Sequence, residues 1–444
     1  MKPTFASARD TVRTQLWPLP VVGTMLAVAA GISLPHLDAR VDEGLPTWLT
    51  AMLFGGDAGA ARTLLDAISS SLITVTSLTF SLTVVTLQLA SGQFSPRLLR
   101  TFTSDIFVQV TLAIFLSTFT YALTLLRAVR NGDEAGVFIP RISVTVAFVL
   151  GIVSVLGLVL FLAHLARQIR VETMLRDVHD EANATIGFAT SPREGARSQS
   201  TLPTPPPNAL NITAPSSGFL TAIDETELRS SAIQSDAYII INSYPGSSIV
   251  EGVPIGVAWS ASGGLDDDAF DRLQGAVRKS IKVGYERTAA QDVGYGLRQL
   301  TDVANKALSP GINDPTTAIH ALGHISAILC RLADRDLGSV VFRDDDNRVR
   351  VVLRRPSLAE LVDDAISQPR RYGSSDPQVI TRLFRLLEEL AWHVDDESPI
   401  REQLARLQTT VARSDFDDIE LTQLGRAATR VEQAITHHVD RSIP

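Results

Sequence analysis

Cysteine and positive charge are both scarce in this chain, and each shortage narrows its possible roles. Cys330 is the only cysteine among 444 residues, so no internal disulfide can form. The part of the chain that contains Cys330 therefore fits a reducing compartment. Residues 216–444 hold 25 Lys and Arg against 34 Asp and Glu. Phosphate binding needs a clustered basic face, so this acidic part of the chain argues against nucleic acid as a partner.

Charge is also absent from the middle of four long apolar runs. A helix needs about 20 mostly apolar residues to span a membrane, and the runs cover residues 17–34, 64–90, 106–126 and 142–163. They predict four transmembrane helices and the lipid bilayer as a partner. Proton relays and ion-coupled carriers usually need a carboxylate or histidine within the membrane. The lack of one argues against a proton-driven transporter and leaves a passive pore, or no transport.

Orientation follows from the basic residues that flank the runs. With a cytoplasmic N-terminus, eight Lys and Arg near the span ends lie inside and five lie outside. This predicts that both termini lie in the cytoplasm. The link at residues 91–105, which contains Phe94, Arg97 and Arg100, is predicted to be a turn in the inner interface, with the arginines at lipid phosphates.

The second apolar run is rich in hydroxyl groups. At 100° per residue, one narrow stripe collects Ser70, Thr74, Ser77, Ser81, Val84 and Gln88, with the spacing of a heptad seam. Such a stripe is either a close-packing surface between helices or the wall of a pore, in which rings of hydroxyls replace an ion's hydration shell. Ser70, Thr74, Ser77, Ser81 and Gln88 are therefore candidate pore-lining residues.

The sequence after the last apolar run predicts a soluble α+β part. The membrane domain is predicted to cover residues 1–190, and a Pro-rich linker follows it at 191–215. Short apolar runs with glycine turns predict a small β-barrel-like module at 216–264. Helix-start signals then recur, so residues 265–444 are predicted to be mainly helical, with a hairpin near 339–353. The fold class is an α-helical membrane protein with a cytosolic α+β part.

The most distinctive motif in this part is the Ser-Pro-Gly-Ile-Asn-Asp-Pro segment that begins at Ser309. It predicts a helix, a tight turn and a second helix that Asp314 caps, with Pro315 in its first position. A functional interpretation is also open, since backbone donors at a helix N-terminus favour an anion. The candidate loop site comprises Arg298, Ser309, Gly311, Asn313, Asp314 and Thr316.

This segment, together with the Gln93-Phe94-Ser95-Pro96-Arg97 turn after a Ser/Thr-rich run, resembles the bacterial domain of unknown function 2254 family of membrane proteins. The resemblance covers nearly the whole chain. It implies a multi-pass inner-membrane protein with a cytosolic C-terminal part. It implies no activity and supplies no catalytic residues.

Two functional hypotheses remain. The first is a homo-oligomeric pore that the second run lines and the cytosolic part gates. The second is a membrane-anchored sensor or scaffold whose loop at residues 309–317 binds a small molecule, an ion or a partner. An enzyme is the least favoured class, because the sequence offers no catalytic constellation, and no cofactor is indicated. His320 and His324 are four residues apart and could share a metal, but the sequence offers no third ligand, which favours a solvated face.

Overall fold

The computed structural model describes residues 17–41, 53–93, 105–129, 138–168, 170–193, 202–260 and 267–442. The chain divides into two compact units, with the boundary between Thr173 and Met174. We call them the N-terminal unit and the C-terminal unit. The turn predicted at residues 91–105, with Phe94, Arg97 and Arg100, lies almost entirely outside the described residues.

Four long helices form the described part of the N-terminal unit: α1 (Pro18–Val41), α2 (Ala58–Gln93), α3 (Ile106–Leu126) and α4 (Arg141–Gln168). Each contains a stretch long and apolar enough to cross a membrane, which confirms the four predicted membrane helices. The helix α2 starts at Ala58, earlier than the predicted residue 64. Asp57 stabilises this start, because its carboxylate accepts a hydrogen bond of 2.7 Å from the Ala60 N–H.

Glycine lets α1 approach α3 closely. A Cβ atom at Gly23 would lie 2.5 Å from Ser117 Oγ, and one at Gly31 would lie 2.9 Å from Thr124 Cβ. Both distances are shorter than real contacts, so only glycine fits without a shift of the neighbouring helix. Helix packing in membranes depends on small residues of this kind, because lipid supplies no hydrophobic force between helices.

Two carboxylates fasten the ends of these helices. Asp38, which is 3% exposed, accepts hydrogen bonds from the N–H groups of Ile142 and Ser143 and from Ser143 Oγ. It thus caps the first turn of α4 from another helix. Asp105 caps α3 through the Phe107 N–H and lies 2.6 Å from His164 Nε2 of α4. The polar groups at these helix ends are therefore partnered across the bundle.

The C-terminal unit contains two open sheets. The five-stranded sheet has the order β1–β5–β3–β8–β7, in which β3 and β8 are parallel and the other pairs antiparallel. The three-stranded antiparallel sheet has the order β4–β2–β6. The strands are β1 (Leu210–Thr213), β2 (Gly218–Ile223), β3 (Ala237–Ile241), β4 (Ser248–Ile249), β5 (Pro254–Ser260), β6 (Ile281–Gly284), β7 (Val340–Arg343) and β8 (Val349–Leu353).

The predicted barrel-like module is not confirmed, since the described strands form no closed barrel. The physical reason is that the strands at 216–264 do not complete a sheet among themselves. They recruit β1 from the segment predicted to be a linker, β6 from after the next helix, and β7 with β8 from a distant hairpin. The hairpin expected near residues 339–353 corresponds to β7 and β8, which pair antiparallel.

Helices make up the rest of the C-terminal unit. The helix α5 (Val171–Ala189) follows α4 almost directly, and helices α8, α9, α11 and α13 pack side by side with a core of Leu, Ile and Ala. The others lie against the sheets or flank this bundle. Their bounds are α6 (Glu225–Gln234), α7 (Asp267–Ser280), α8 (Tyr295–Ala307), α9 (Pro315–Ala333), α10 (Leu358–Tyr372), α11 (Pro377–Ala391), α12 (Ser398–Arg413) and α13 (Asp418–Ser442).

Candidate functional site

The candidate pore-lining residues share one exposed face of α2. We call this the hydroxyl face; its members, all exposed in the single chain, are Ser70, Thr74, Ser77, Ser81 and Gln88. The hydroxyls of Ser70 and Thr74 donate to carbonyl oxygens four residues earlier. Those of Ser77 and Ser81 make no hydrogen bond with any described residue. The middle of the hydroxyl face therefore has free donors and acceptors.

A second set of hydroxyl residues packs α2 against its neighbours. Its buried members are Ser69, Thr76, Thr79, Thr83 and Thr86. On a helical wheel at 100° per residue these lie roughly opposite the hydroxyl face. The packing role that small polar residues often have in membranes thus belongs to this buried set, and the hydroxyl face packs against none of the described helices.

Large apolar side chains border the hydroxyl face on both sides. Leu78 and Val85 form one exposed flank, and Ile73 and Phe80 form the other. Asp66, also exposed, precedes Ser70 by four residues and so continues the same face toward the N-terminal end of α2. Asp66 was not among the residues selected from the sequence, although its phase on the wheel could have revealed it.

The Ser309–Thr317 loop is held by its own bonds. Asp314 accepts a hydrogen bond from the Thr317 N–H and another from Thr317 Oγ1, and these two bonds hold the pKa of this carboxyl below its usual range. Ser309 Oγ donates to the Lys306 carbonyl. Asn313 has a φ of 50°, while Gly311 and Thr316 are exposed. The loop is therefore a turn and helix cap, and hydrogen bonds within it already use the side chains of Ser309 and Asp314.

Arg298 lies away from the loop. It pairs with Asp302 at 3.1 Å within α8, and Ser309 follows it by eleven positions of helix and turn, which is roughly 16 Å at 1.5 Å per residue. The structure thus groups Ser309, Gly311, Asn313, Asp314 and Thr316 but not Arg298.

Arg298 belongs instead to charged residues at the start of α8. Arg287 donates to Asp292 Oδ2 at 2.8 Å from Nε and 2.7 Å from a terminal nitrogen. Burial raises the pKa of Asp292, while Arg287 opposes the rise. The pKa of Asp364 is raised overall, because burial and the neighbouring Asp363 outweigh the opposing effect of Arg298 and Arg287. The pairing of Asp292 with Arg287 could not be assigned from the sequence without the fold.

A cavity of about 380 Å³ lies beside the carboxyl ends of β2 and β8. Arg355 forms part of its wall, donating to the Ala189 carbonyl at 2.7 Å and to Glu225 at 2.9 Å. Its other lining residues include Phe188, Lys282 and Arg354. Apolar and charged groups therefore meet in one pocket that could hold a small organic molecule.

The comparisons with known proteins agree with this architecture. A family model described as predicted membrane protein (DUF2254) matches residues 13–389. Uncharacterized proteins of Mycobacterium bovis and Mycobacterium tuberculosis are each 34% identical over 430 residues, which is 96% of this chain and 82% of the relative. No solved structure matches. The chain therefore belongs to the DUF2254 family of predicted membrane proteins.

Proposed function

We propose that this protein is a homo-oligomeric permeation protein in which the hydroxyl faces of several α2 helices line a water-filled path for cations. The observation that carries this proposal is that the hydroxyl face is exposed and lies roughly opposite the packed face of α2. A polar stripe left bare toward lipid is unfavourable, because hydrocarbon offers no hydrogen-bond partner to free hydroxyls and amides. An oligomer with the stripe on its axis would place these groups in water.

The apolar flanks fit such an assembly. In a ring of α2 helices, the packed face would contact the other helices of the same chain. The flanks at Leu78 and Val85, and at Ile73 and Phe80, would contact neighbouring copies on either side. The narrow hydroxyl face would then be the part of α2 that meets the axis.

The chemistry of the face favours passive passage of cations. Free hydroxyls at Ser77 and Ser81 could stand in for part of an ion's hydration shell. The Asp66 carboxylates of several copies would form an acidic ring at one mouth, which is how many cation channels select against anions. On the predicted topology, with both termini in the cytoplasm of a bacterial inner-membrane protein, this mouth faces outward.

The experiment is a conductance measurement on the full chain in planar bilayers under a KCl gradient. The wild type should show a reversal potential close to that of potassium. Asp66→Asn should move it toward zero, because the acidic ring is lost. Asp57→Asn is the matched control, since Asp57 precedes the helix and asparagine retains the cap. Absence of conductance, or an unchanged reversal potential in Asp66→Asn, would contradict the proposal.

A membrane-anchored sensor is the second candidate, and the 380 Å³ cavity supports it. Arg355 and Arg354 are paired with Glu225 and Glu360, so Lys282 is the lining cation offered to a ligand. Its charge and the apolar walls suit a small molecule with an anionic group, so ADP and inorganic phosphate are the first probes. Calorimetric binding that disappears in Lys282→Ala while no conductance is found would favour this candidate over the pore.

A further inference from the structure

Two histidines from different helices meet in the C-terminal unit. The ring of His179 on α5 lies against that of His324 on α9, with 5.0 Å between centroids and 63° between planes. The two helices run side by side, since a Cβ atom at Gly187 of α5 would lie 3.7 Å from an Arg331 nitrogen of α9. His320 lies one turn before His324. The fold thus brings a third imidazole, distant in sequence, to the His320–His324 pair.

Two potential ligand atoms at this position have no partner. His179 Nδ1 and Asn183 Oδ1 are buried, and neither bonds to any described residue. Buried polar atoms in proteins are nearly always satisfied, and an unsatisfied one calls for a water, an ion or a functional explanation. His179 and Asn183 are four residues apart on α5, as His320 and His324 are on α9, so each pair shares one face of its helix.

We propose that His179 and His324 bind a divalent transition-metal ion of the zinc class, with His320 as the third protein ligand. Imidazole nitrogen is a preferred ligand of such ions. Two imidazoles bound at about 2.1 Å to one tetrahedral metal would have ring centroids roughly 5 Å apart, which agrees with the separation of the two rings. Histidines four residues apart on one helix are a recurrent source of paired ligands.

The third ligand requires a side-chain rotation. Among the described residues, no three His, Cys, Asp or Glu side chains already lie close enough to hold a metal ion. His320 is exposed, so its ring can turn toward His324 without disturbing packing. Binding would then draw α5 and α9 together, and α5 follows directly on the last membrane helix of the chain.

The electrostatic setting is compatible with metal ligation. Burial lowers the pKa of His324, the neighbouring His179 and His320 lower it further, and Asp180 opposes them. A lowered pKa favours the neutral imidazole, which is the form that coordinates a metal.

The test is a calorimetric titration of the full chain in detergent with ZnCl₂ at pH 7.5, after EDTA treatment and with an affinity tag that contains no histidine. One Zn²⁺ per chain is expected. His179→Ala, His324→Ala and His320→Ala should each weaken binding by about tenfold or more. His393→Ala is the matched control, because His393 is an exposed histidine elsewhere that contacts Asp334, and it should bind as the wild type does.

Two results would overturn the proposal: a wild type that binds no stoichiometric Zn²⁺, or three site variants that bind like His393→Ala. Thermal unfolding of the metal-free variants shows whether His179→Ala or His324→Ala has lost its fold. His320→Ala decides the matter if they have, since His320 is exposed. Substitution with Co²⁺ adds a spectroscopic readout, because a tetrahedral cobalt site absorbs visible light strongly and hydrated octahedral Co²⁺ at a non-specific surface site absorbs it only weakly.

Discussion

Among the described residues of the N-terminal unit, many side-chain hydroxyls donate to a carbonyl four residues earlier on their own helix. In the C-terminal unit, charged side chains join elements far apart in the chain. Thr76, Thr83 and Thr86 of α2 illustrate the first pattern. Arg355, which joins the end of α5 to the start of α6, illustrates the second. Bonds within a helix satisfy polar groups locally but confer little on tertiary structure, so charged contacts between elements should matter more for stability.

The largest effect is expected from a buried charged pair of the C-terminal unit. Asp292→Ala removes the carboxylate that pairs with Arg287 and leaves a half-buried cation without this partner. The free energy of unfolding should fall by about 3 kcal/mol. Amide hydrogen exchange of the full chain in detergent should show faster local opening at the start of α8. The control is Glu402→Gln, which breaks an exposed pair with Arg406 and should change little. Equal exchange rates at the start of α8 in both variants would contradict the expected difference between a buried and an exposed charged pair.

The second effect concerns one of the two carboxylates that join helices of the N-terminal unit. Asp38 crosses from α1 to the first turn of α4, so Asp38→Ala should destabilise this unit by about 2 kcal/mol, the upper range for loss of a helix cap. Asp38→Asn should retain part of the stability because its amide oxygen still accepts a hydrogen bond. Thermal unfolding in detergent measures both variants. An alanine variant as stable as the wild type would show that local bonds suffice in this unit.

A smaller effect is expected at the Ser309–Thr317 loop. Asp314→Ala should destabilise the start of α9 by about 1 kcal/mol. Because the folded-state pKa of Asp314 is depressed, its stabilising contribution is present above the ordinary pKa of Asp, about 3.9, and is lost as pH falls through the lower folded-state value. Hydrogen exchange should therefore differ between wild type and variant more at pH 7 than near pH 3, where part of the contribution is lost.

The smallest effect is expected from a hydroxyl that bonds within its own helix. Thr83→Val keeps the shape of a buried side chain and removes a bond to a carbonyl that the helix already satisfies. The predicted change is within about 0.5 kcal/mol. A loss of 2 kcal/mol in thermal unfolding would mean that local bonds stabilise the unit as strongly as bonds between helices.

Properties encoded in short segments were predictable from the sequence. The four apolar helices follow from length and composition, and the cap at Asp314 from an Asp-Pro pair. The hydroxyl face follows from the 100° rotation per residue. Its exposure was not predictable, because only the packing of α2 against its neighbours shows which of its two hydroxyl sets is buried.

Contacts between distant segments were not predictable from one sequence. The strand β3 pairs with β8 more than a hundred residues later, and no local pattern marks this partner. The same holds for Asp38 with Ser143 and for His179 with His324. Arg298 was grouped with the Ser309 loop because the two are close in sequence, yet a helix separates them.

Water accessibility along α2 tests the central claim most directly. In a Cys330→Ser background, single cysteines replace Ser77 and Ser81 on the hydroxyl face, with Thr79 on the packed face and Phe80 on an apolar flank as controls. A charged, membrane-impermeant thiol reagent is then applied to membranes. The proposal predicts rapid labelling at 77 and 81 and none at 79 or 80. Protection at all four positions would contradict a water-filled path and identify the hydroxyl face as a packing surface.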